Sequence, residues 1–124
     1  MPDRRDLTTV FLRSEGLALL GLSVFLYSWF DQSWVLFALL LLIPDISMVG
    51  YAAGPRAGAV AYNVAHTYLI PASLAVAGVA GDVEGLVTVS LIWFAHIGMD
   101  RLLGYGLKRP TGFRETHLGR IGRR

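Results

Sequence analysis

The sequence predicts an all-α, polytopic membrane protein: an up-down bundle of four transmembrane helices with both termini on the cytoplasmic side. Three observations predict it. First, 54% of the 124 residues are hydrophobic and only 16% are charged, with mean hydropathy +0.53, whereas soluble domains carry about 25% charge. A chain this short has too much surface for its volume to hide so many apolar side chains in a core of its own. Second, four apolar stretches each approach the roughly 20 residues that cross about 30 Å of hydrocarbon. Third, the basic residues all fall on one side of those stretches. The chain is read as a single membrane domain, residues 1–124.

The first span runs over about 7–30, its inner part interrupted by Arg13 and Glu15, and ends at the turn Asp31-Gln32-Ser33. Trp29 and Trp34 bracket that turn, where interfacial aromatics belong. Charged residues before an apolar run also describe a secretory signal, but the run is long and three more spans follow, so it reads as retained. The second span, about 34–51, contains Pro44, and a turn at Gly54-Pro55 follows it. The third, about 58–80, contains Pro71 and is followed by Gly81-Asp82-Val83. The fourth, about 84–105, closes at Gly104 and Gly106, and a basic cytoplasmic tail occupies 107–124. Connections this short join antiparallel neighbours.

With four spans, the N-terminus, the middle turn and the C-terminus share one side. That side receives Arg4, Arg5, Arg13, Arg56, Arg101, Lys108, Arg109, Arg114, Arg120, Arg123 and Arg124, which is every basic residue in the chain. The opposite turns hold Asp31, Asp82 and Glu84 and no Lys or Arg. The asymmetry follows the positive-inside rule and makes the basic side cytoplasmic. It also accounts for the net charge of +2 through topology, and no nucleic-acid-binding pattern accompanies it. The absence of cysteine excludes disulfides, thiolate catalysis and thiolate metal sites, so a metal would take His, Asp, Glu or carbonyl ligands.

An ionisable side chain inside a span costs several kcal/mol on insertion scales and asks for an explanation. Here these groups are Glu15, Asp45, His66, His96 and Asp100, with the polar Asn63 among them. Counting about 1.5 Å per residue from the span ends puts them at matching depth, in the cytoplasmic half or near the midplane. His96 and Asp100 are i,i+4 and Asn63 and His66 are i,i+3, so each pair shares a helix face. Soluble carboxylate metal bundles present ligands in a related way, and this chain offers one contribution per helix, better suited to one metal than to two. Pro44 and Pro71 each leave the carbonyl four residues earlier, at Leu40 and Thr67, without a donor. A kink or restart at Pro44 would aim Asp45 into the bundle.

The strings Pro44-Asp45-Ile46-Ser47-Met48, Gly54-Pro55-Arg56, Tyr62-Asn63-Val64-Ala65-His66-Thr67-Tyr68, His96-Ile97-Gly98-Met99-Asp100-Arg101-Leu102-Leu103-Gly104-Tyr105-Gly106 and Thr116-His117-Leu118-Gly119 resemble a bacterial membrane family known only as domain of unknown function 4260. The resemblance covers about Arg13 to Ile121. It implies a small multi-pass protein of the bacterial cytoplasmic (inner) membrane and carries no activity with it. A weaker likeness, limited to histidines and aspartates at a membrane face, is to small membrane-bound metal-dependent hydrolases.

Three functions compete. In the first, Asp45, His66, His96 and Asp100 bind a divalent metal (Zn, Mn or Fe) and act as the catalytic group of a hydrolase for a lipid or other amphiphile. Glu15 or Asn63 then orients a ligand or water, and Arg56, Arg101 and Lys108 attract an anionic head group, with His117 as a further ligand or acid–base group from the tail. In the second, the same groups carry a proton, metal ion or small solute, against which stands the apolar outer half. In the third, they lock helices together or serve a partner-binding scaffold. Membrane lipid is the expected partner. Small residues such as Ala61, Ala65, Gly16 and Gly21 would support close helix packing, within the chain or in a homo-oligomer.

Overall fold

The structure is a computed structural model that describes residues 6–108, 115–116 and 118–120. Helix α1, Leu7–Trp29, ends at Phe30, and Asp31 then adopts φ 54°, a left-handed conformation that Asp tolerates better than most residues. Helix α2, Trp34–Leu40, starts on Ser33, whose hydroxyl accepts the Leu36 N–H at 3.2 Å. It stops four residues before Pro44, at the carbonyl that the proline cannot serve. After a turn at Leu41 and Leu42 the chain winds on as a 3-10 helix, Ile43–Ala53. Its 11 residues are long for this geometry, which rarely extends beyond a few residues and often marks a hinge or strain.

Gly54, at φ 118°, turns the chain into α3, Pro55–His66, with the proline in the first turn where a missing N–H is harmless. The third span therefore starts at Pro55 rather than near residue 58. Helix α3 stops at His66 and Thr67 is extended (φ −92°, ψ 158°), again four residues before a proline, Pro71. Helix α4, Leu69–Ala80, completes the span. After Asp82, at φ 55°, helix α5 runs Glu84–Leu103 and closes on Gly104, left-handed at φ 88°. The Tyr105 N–H returns to the Asp100 carbonyl at 2.7 Å, the long bond of a glycine-terminated helix. Beyond it, strands β1, Glu115–Thr116, and β2, Gly119–Arg120, pair antiparallel, and Lys108 forms a further bridge to Thr116.

Four segments, Leu7–Trp29, Trp34–Ala53, Pro55–Ala80 and Glu84–Leu103, are long and apolar enough to cross a membrane. Two are continuous helices and two are broken. Helix α5 is the hub, packed against α1 and α4, while the 3-10 helix lies along α3. More than half of α5 is buried, but only a sixth or less of each other span. Phe11, Leu39, Val49, Leu69 and Val79 project from the spans as exposed apolar surface, the kind that lipid covers.

Backbone proximity fixes the hub. A methyl group on Gly98 would lie 2.7 Å from the Leu20 nitrogen, and one on Gly16 would lie 2.5 Å from Arg101 Cβ. The α1–α5 crossing thus requires both glycines, and Gly16 serves this internal contact. Gly50 meets Ala61 and Gly58 meets the Tyr51 ring, so the small residues of the second and third spans also pack within the chain. Towards the Asp31 and Asp82 turns, Tyr27, Leu91 and Ile92 form a buried apolar core with Leu26, Phe37, Leu40, Leu41 and Val87 around it.

Candidate metal centre

Both proline breaks fall beside the residues that the sequence singles out. Asp45 follows Pro44 in the first turn of the 3-10 helix, and His66 is the last residue of α3. Opposite them, α5 presents His96 and Asp100 one turn apart. One ligand atom from each of the four lies within 4.8 Å of all the others. His66 Nε2 stands 3.0 Å from Asp45 Oδ1, 3.0 Å from His96 Nε2 and 3.5 Å from Asp100 Oδ2. His96 Nε2 stands 3.2 Å from Asp45 Oδ1 and 3.3 Å from Asp100 Oδ2. His66, His96 and Asp100 are buried, whereas the Asp45 side chain is 32% exposed. The group therefore has one open side, at Asp45.

The hydrogen bonds and ring contacts around the cluster set the orientation of His66. His66 Nδ1 faces the Tyr62 carbonyl at 2.8 Å. A carbonyl only accepts, so Nδ1 carries the proton and the Nε2 lone pair of the neutral ring points at Asp45 and His96. The Tyr62 ring lies flat on His66, with centroids 3.7 Å apart and planes 6° apart, and fixes its orientation. The Tyr62 hydroxyl reaches Asp100 at 3.5 Å. His96 Nδ1 is buried with no hydrogen-bond partner among the described residues. Two imidazole rings and two carboxyl groups converge on one point, an arrangement favoured by positive charge among them. A proton or a metal ion supplies it.

Ligands at ~2.0–2.2 Å around a tetrahedral ion lie about 3.4 Å from one another. Five of the six pairs stand 3.0–3.5 Å apart, near that value and also near hydrogen-bond length, and the Asp45–Asp100 pair lies within 4.8 Å. The donor set, two imidazoles and two carboxylates without sulfur, suits Zn, Mn or Fe.

The broken backbone is repaired from α5. Trp93 Nε1 donates to the Ala65 carbonyl at 2.7 Å and Arg101 Nη2 donates to the His66 carbonyl at 3.3 Å. These carbonyls lose their helical partners where Thr67 leaves the helix, so α5 provides both the ligands and the donors that let α3 end at His66. Arg13 plays the same part for α5, its Nε donating to the Leu102 carbonyl at 2.8 Å.

The remaining expected site residues are dispersed. Asn63 does not orient a ligand: its amide donates to the Lys108 carbonyl at 2.7 Å and accepts the Lys108 N–H at 2.6 Å, tying the chain beyond α5 to α3. Arg101 is buried, with its guanidinium 5.4 Å from the Tyr68 ring centre, rather than presented to head groups. Glu15 and Arg56 are exposed. Glu15 stands outside the group of four, so the ligand set draws on the 3-10 helix, α3 and α5 but not on α1. His117 lies outside the described residues. Lys108 is buried, its ammonium 4.7 Å from the Tyr62 ring centre. Burial pushes its amine down to about 8, against the opposing pull of Asp100 and Asp45.

Tyr62 and Trp93 are the functional neighbours that spacing alone misses. Trp93 carried a signal, since an indole N–H inside a span must find an acceptor. Tyr62 lies four residues before His66, the spacing of stacked helix neighbours.

Apolar helices of membrane length around a buried Asp/His group define the class: a small helical protein of membrane-protein type with a candidate metal centre. The chain belongs to the family described as domain of unknown function (DUF4260), whose model matches residues 9–121. No curated protein and no solved structure matches the chain significantly.

Proposed function

We propose that this protein is a divalent-metal-dependent hydrolase of the bacterial cytoplasmic membrane, acting on a lipid or other amphiphile from the cytoplasmic side. The observation that carries the proposal is the convergence of His66 Nε2, His96 Nε2 and the carboxylates of Asp45 and Asp100 at separations of one metal's coordination shell. His66, His96 and Asp100, all buried, serve as fixed ligands. Asp45, partly exposed at the start of the 3-10 helix, faces the side from which water and substrate reach the ion. A metal lowers the pKa of bound water to about 7 and so makes a nucleophile at neutral pH. The concentration of basic residues on the site's side of the chain supports the orientation through the positive-inside rule.

Transport is the weaker reading because of the other half of the molecule. Tyr27, Leu91 and Ile92 form a buried apolar core there and the buried polar residues beside it, Ser23, Thr88 and Ser90, are hydroxyls, where a charge-carrying path across the membrane would call for ionisable groups at several depths. A purely structural role is weaker too, since interhelical polar pairs in membranes contribute only about 0.6 kcal/mol on average, little return for burying four ionisable groups.

Metal analysis of the full chain purified in detergent tests the proposal. One divalent ion per chain is expected, together with hydrolysis of ester-bearing amphiphiles in mixed micelles that a chelator abolishes and the metal restores. Protein that neither retains nor takes up Zn, Mn or Fe would overturn the reading.

A further inference from the structure

The break before Pro44 serves two features at once. It delivers Asp45 to the cluster, and both its sides, Leu40 before and Ile43 and Pro44 after, line a notch of about 60 Å³ whose other wall is Val89, Ile92 and Trp93 of α5. Pro44 and Ile92 are buried and form the floor, whereas Leu40, Val89 and Trp93 are half-buried and Ile43 is exposed. The notch therefore opens on the outside of the bundle, between segments of membrane-spanning length, where a bilayer supplies hydrocarbon. It adjoins the cluster through every element that contributes to it. Pro44 directly precedes Asp45, and Val89, Ile92 and Trp93 precede His96 by seven, four and three residues, the spacing of one helix face. Trp93 also donates its indole N–H at 2.7 Å to the carbonyl of Ala65, the residue before His66. That bond occupies the one polar group among the lining side chains, so the notch is suited to hydrocarbon.

Along α5 the notch lies on the side of His96 away from the basic end of the chain. An amphiphile that enters from the basic side and holds its polar end at the cluster has its chain running in this direction. A chain gains nothing by hydrophobic transfer from bilayer to notch, since both are apolar. Selection has to come from the polar end, because a chain whose head is held at the cluster meets the notch at high effective concentration. On the reading that the cluster holds the divalent ion of a hydrolase, we propose that the notch is its chain subsite, which seats the hydrocarbon tail of a carboxylic ester or of the carboxylate released from it. Val89, half-buried in the wall and outside the ligand set, is then a specificity-determining residue.

A brominated fatty acid tests this, because its carboxylate binds the metal while its bromines quench an indole that the chain touches. Trp93 is the sensor. The other two tryptophans, Trp29 and Trp34, flank the Asp31 turn, and Trp29→Phe/Trp34→Phe leaves Trp93 as the sole indole. Reconstitute this full-length variant in phosphatidylcholine bilayers, Zn-loaded or stripped, and titrate it with brominated fatty acid or brominated phosphatidylcholine. In the loaded protein the fatty acid is expected to half-quench Trp93 at about tenfold lower mole fraction than the phosphatidylcholine, and stripping the metal should remove the difference. Val89→Phe, or Leu40→Phe from the opposite wall, fills the notch and should abolish the difference with Zn still bound. Val76→Phe, on the exposed face of α4, should preserve it. Equal quenching by the two lipids in loaded protein would mean that the notch holds only bulk lipid, and a difference that survives both fillings would seat the chain elsewhere. Either result overturns this inference and leaves the metal centre intact, whereas failure to take up metal overturns both.

Discussion

The two ends of the helix assembly solve the problem of polar groups in opposite ways. At the Asp31 and Asp82 turns, Gln32 donates to Glu84 Oε1 at 2.7 Å and accepts from the Thr88 hydroxyl at 3.0 Å, and the Tyr27 hydroxyl donates to the Ser33 carbonyl. Donors meet acceptors, the turns lie at the surface, and the helices behind them are regular. At the other end the second and third spans both leave α-helical geometry shortly before a proline, carbonyls are served by Trp93 and Arg101, and four ionisable side chains crowd together in the Asp/His cluster. Polar groups that need only stability are paired locally. A buried cluster of ionisable groups, on backbone that departs from helix to present it, marks the part of the fold suited to hold a ligand.

The largest expected effect breaks that contrast at its centre. His96→Ala removes a proposed ligand with no measurable exposure, and metal affinity should fall by at least about 100-fold, more than the 10–100-fold typical of losing an outer-shell partner. Gln32→Ala, at the opposite end, should leave metal binding unchanged and cost about 0.6 kcal/mol of stability or less. Metal titration and thermal melting of both variants in the same detergent check the pair. Equal effects on metal binding would show that the two ends do not differ in kind.

The hub helix should be the next most sensitive. Gly98→Leu forces a side chain into the α1 backbone, which a Cβ alone would approach to 2.7 Å, and should destabilise by about 1–3 kcal/mol or more. Gly21→Leu on α1, where a Cβ meets nothing within 4 Å, should be silent in a melting experiment.

Restoring a helix tests whether the break itself matters. Pro71→Ala supplies an N–H for the Thr67 carbonyl and removes the ring that clashes with it, favouring continuity between α3 and α4. A continuous helix would give the Ala65 and His66 carbonyls helical donors, displace Trp93 and Arg101, and rotate His66 away from its ring stack on Tyr62. Metal affinity should drop by about tenfold, as for a lost outer-shell partner, while helix content by circular dichroism stays the same or rises.

That Asp45, His66, His96 and Asp100 come together was legible in the sequence because two simple rules apply to them. Depth counting aligned Asp45, His66, His96 and Asp100 along the membrane normal, and i,i+4 spacing placed His96 and Asp100 on one face. The breaks were legible as proline positions, although nothing local to Ile43–Ala53 announces an extended 3-10 helix. What was hidden depends on lateral packing. Glu15 has the right depth but the wrong face of α1, since the Gly16–Gly98 contact turns its neighbour outward. Asn63 shares a helix with His66, yet its amide finds the Lys108 backbone, which no spacing rule connects across 45 residues. Arg101 reads as a topology signal until the α3 break is seen to leave a carbonyl beside it. Donors that repair a broken helix come from whichever neighbour packs there, and a single sequence does not encode that neighbour locally.

Lys108 gives the smallest expected effect and the sharpest test of how the two ends differ, because it is a cation buried where the protein also buries acids. Burial is the dominant influence on its amine and lowers it from the ordinary 10.5 to about 8, while Asp100 and Asp45 pull the other way. In the metal-free protein the native state therefore releases the Lys108 proton near pH 8 and the unfolded chain does so near 10.5. Between these values the unfolded state binds more protons, so stability rises with pH and levels off above the window. Below about pH 8 both states are charged and the native state carries the full cost of desolvation. Melting curves of wild type and Lys108→Met from pH 7 to 11 should thus diverge through this window, the wild type gaining relative to the variant. Metal binding adds positive charge beside the amine, so the loaded protein should begin its gain at lower pH. A Gln32→Ala control should show neither trend, and a wild-type curve parallel to that of Lys108→Met would mean that the ammonium is as well solvated as a residue at the surface.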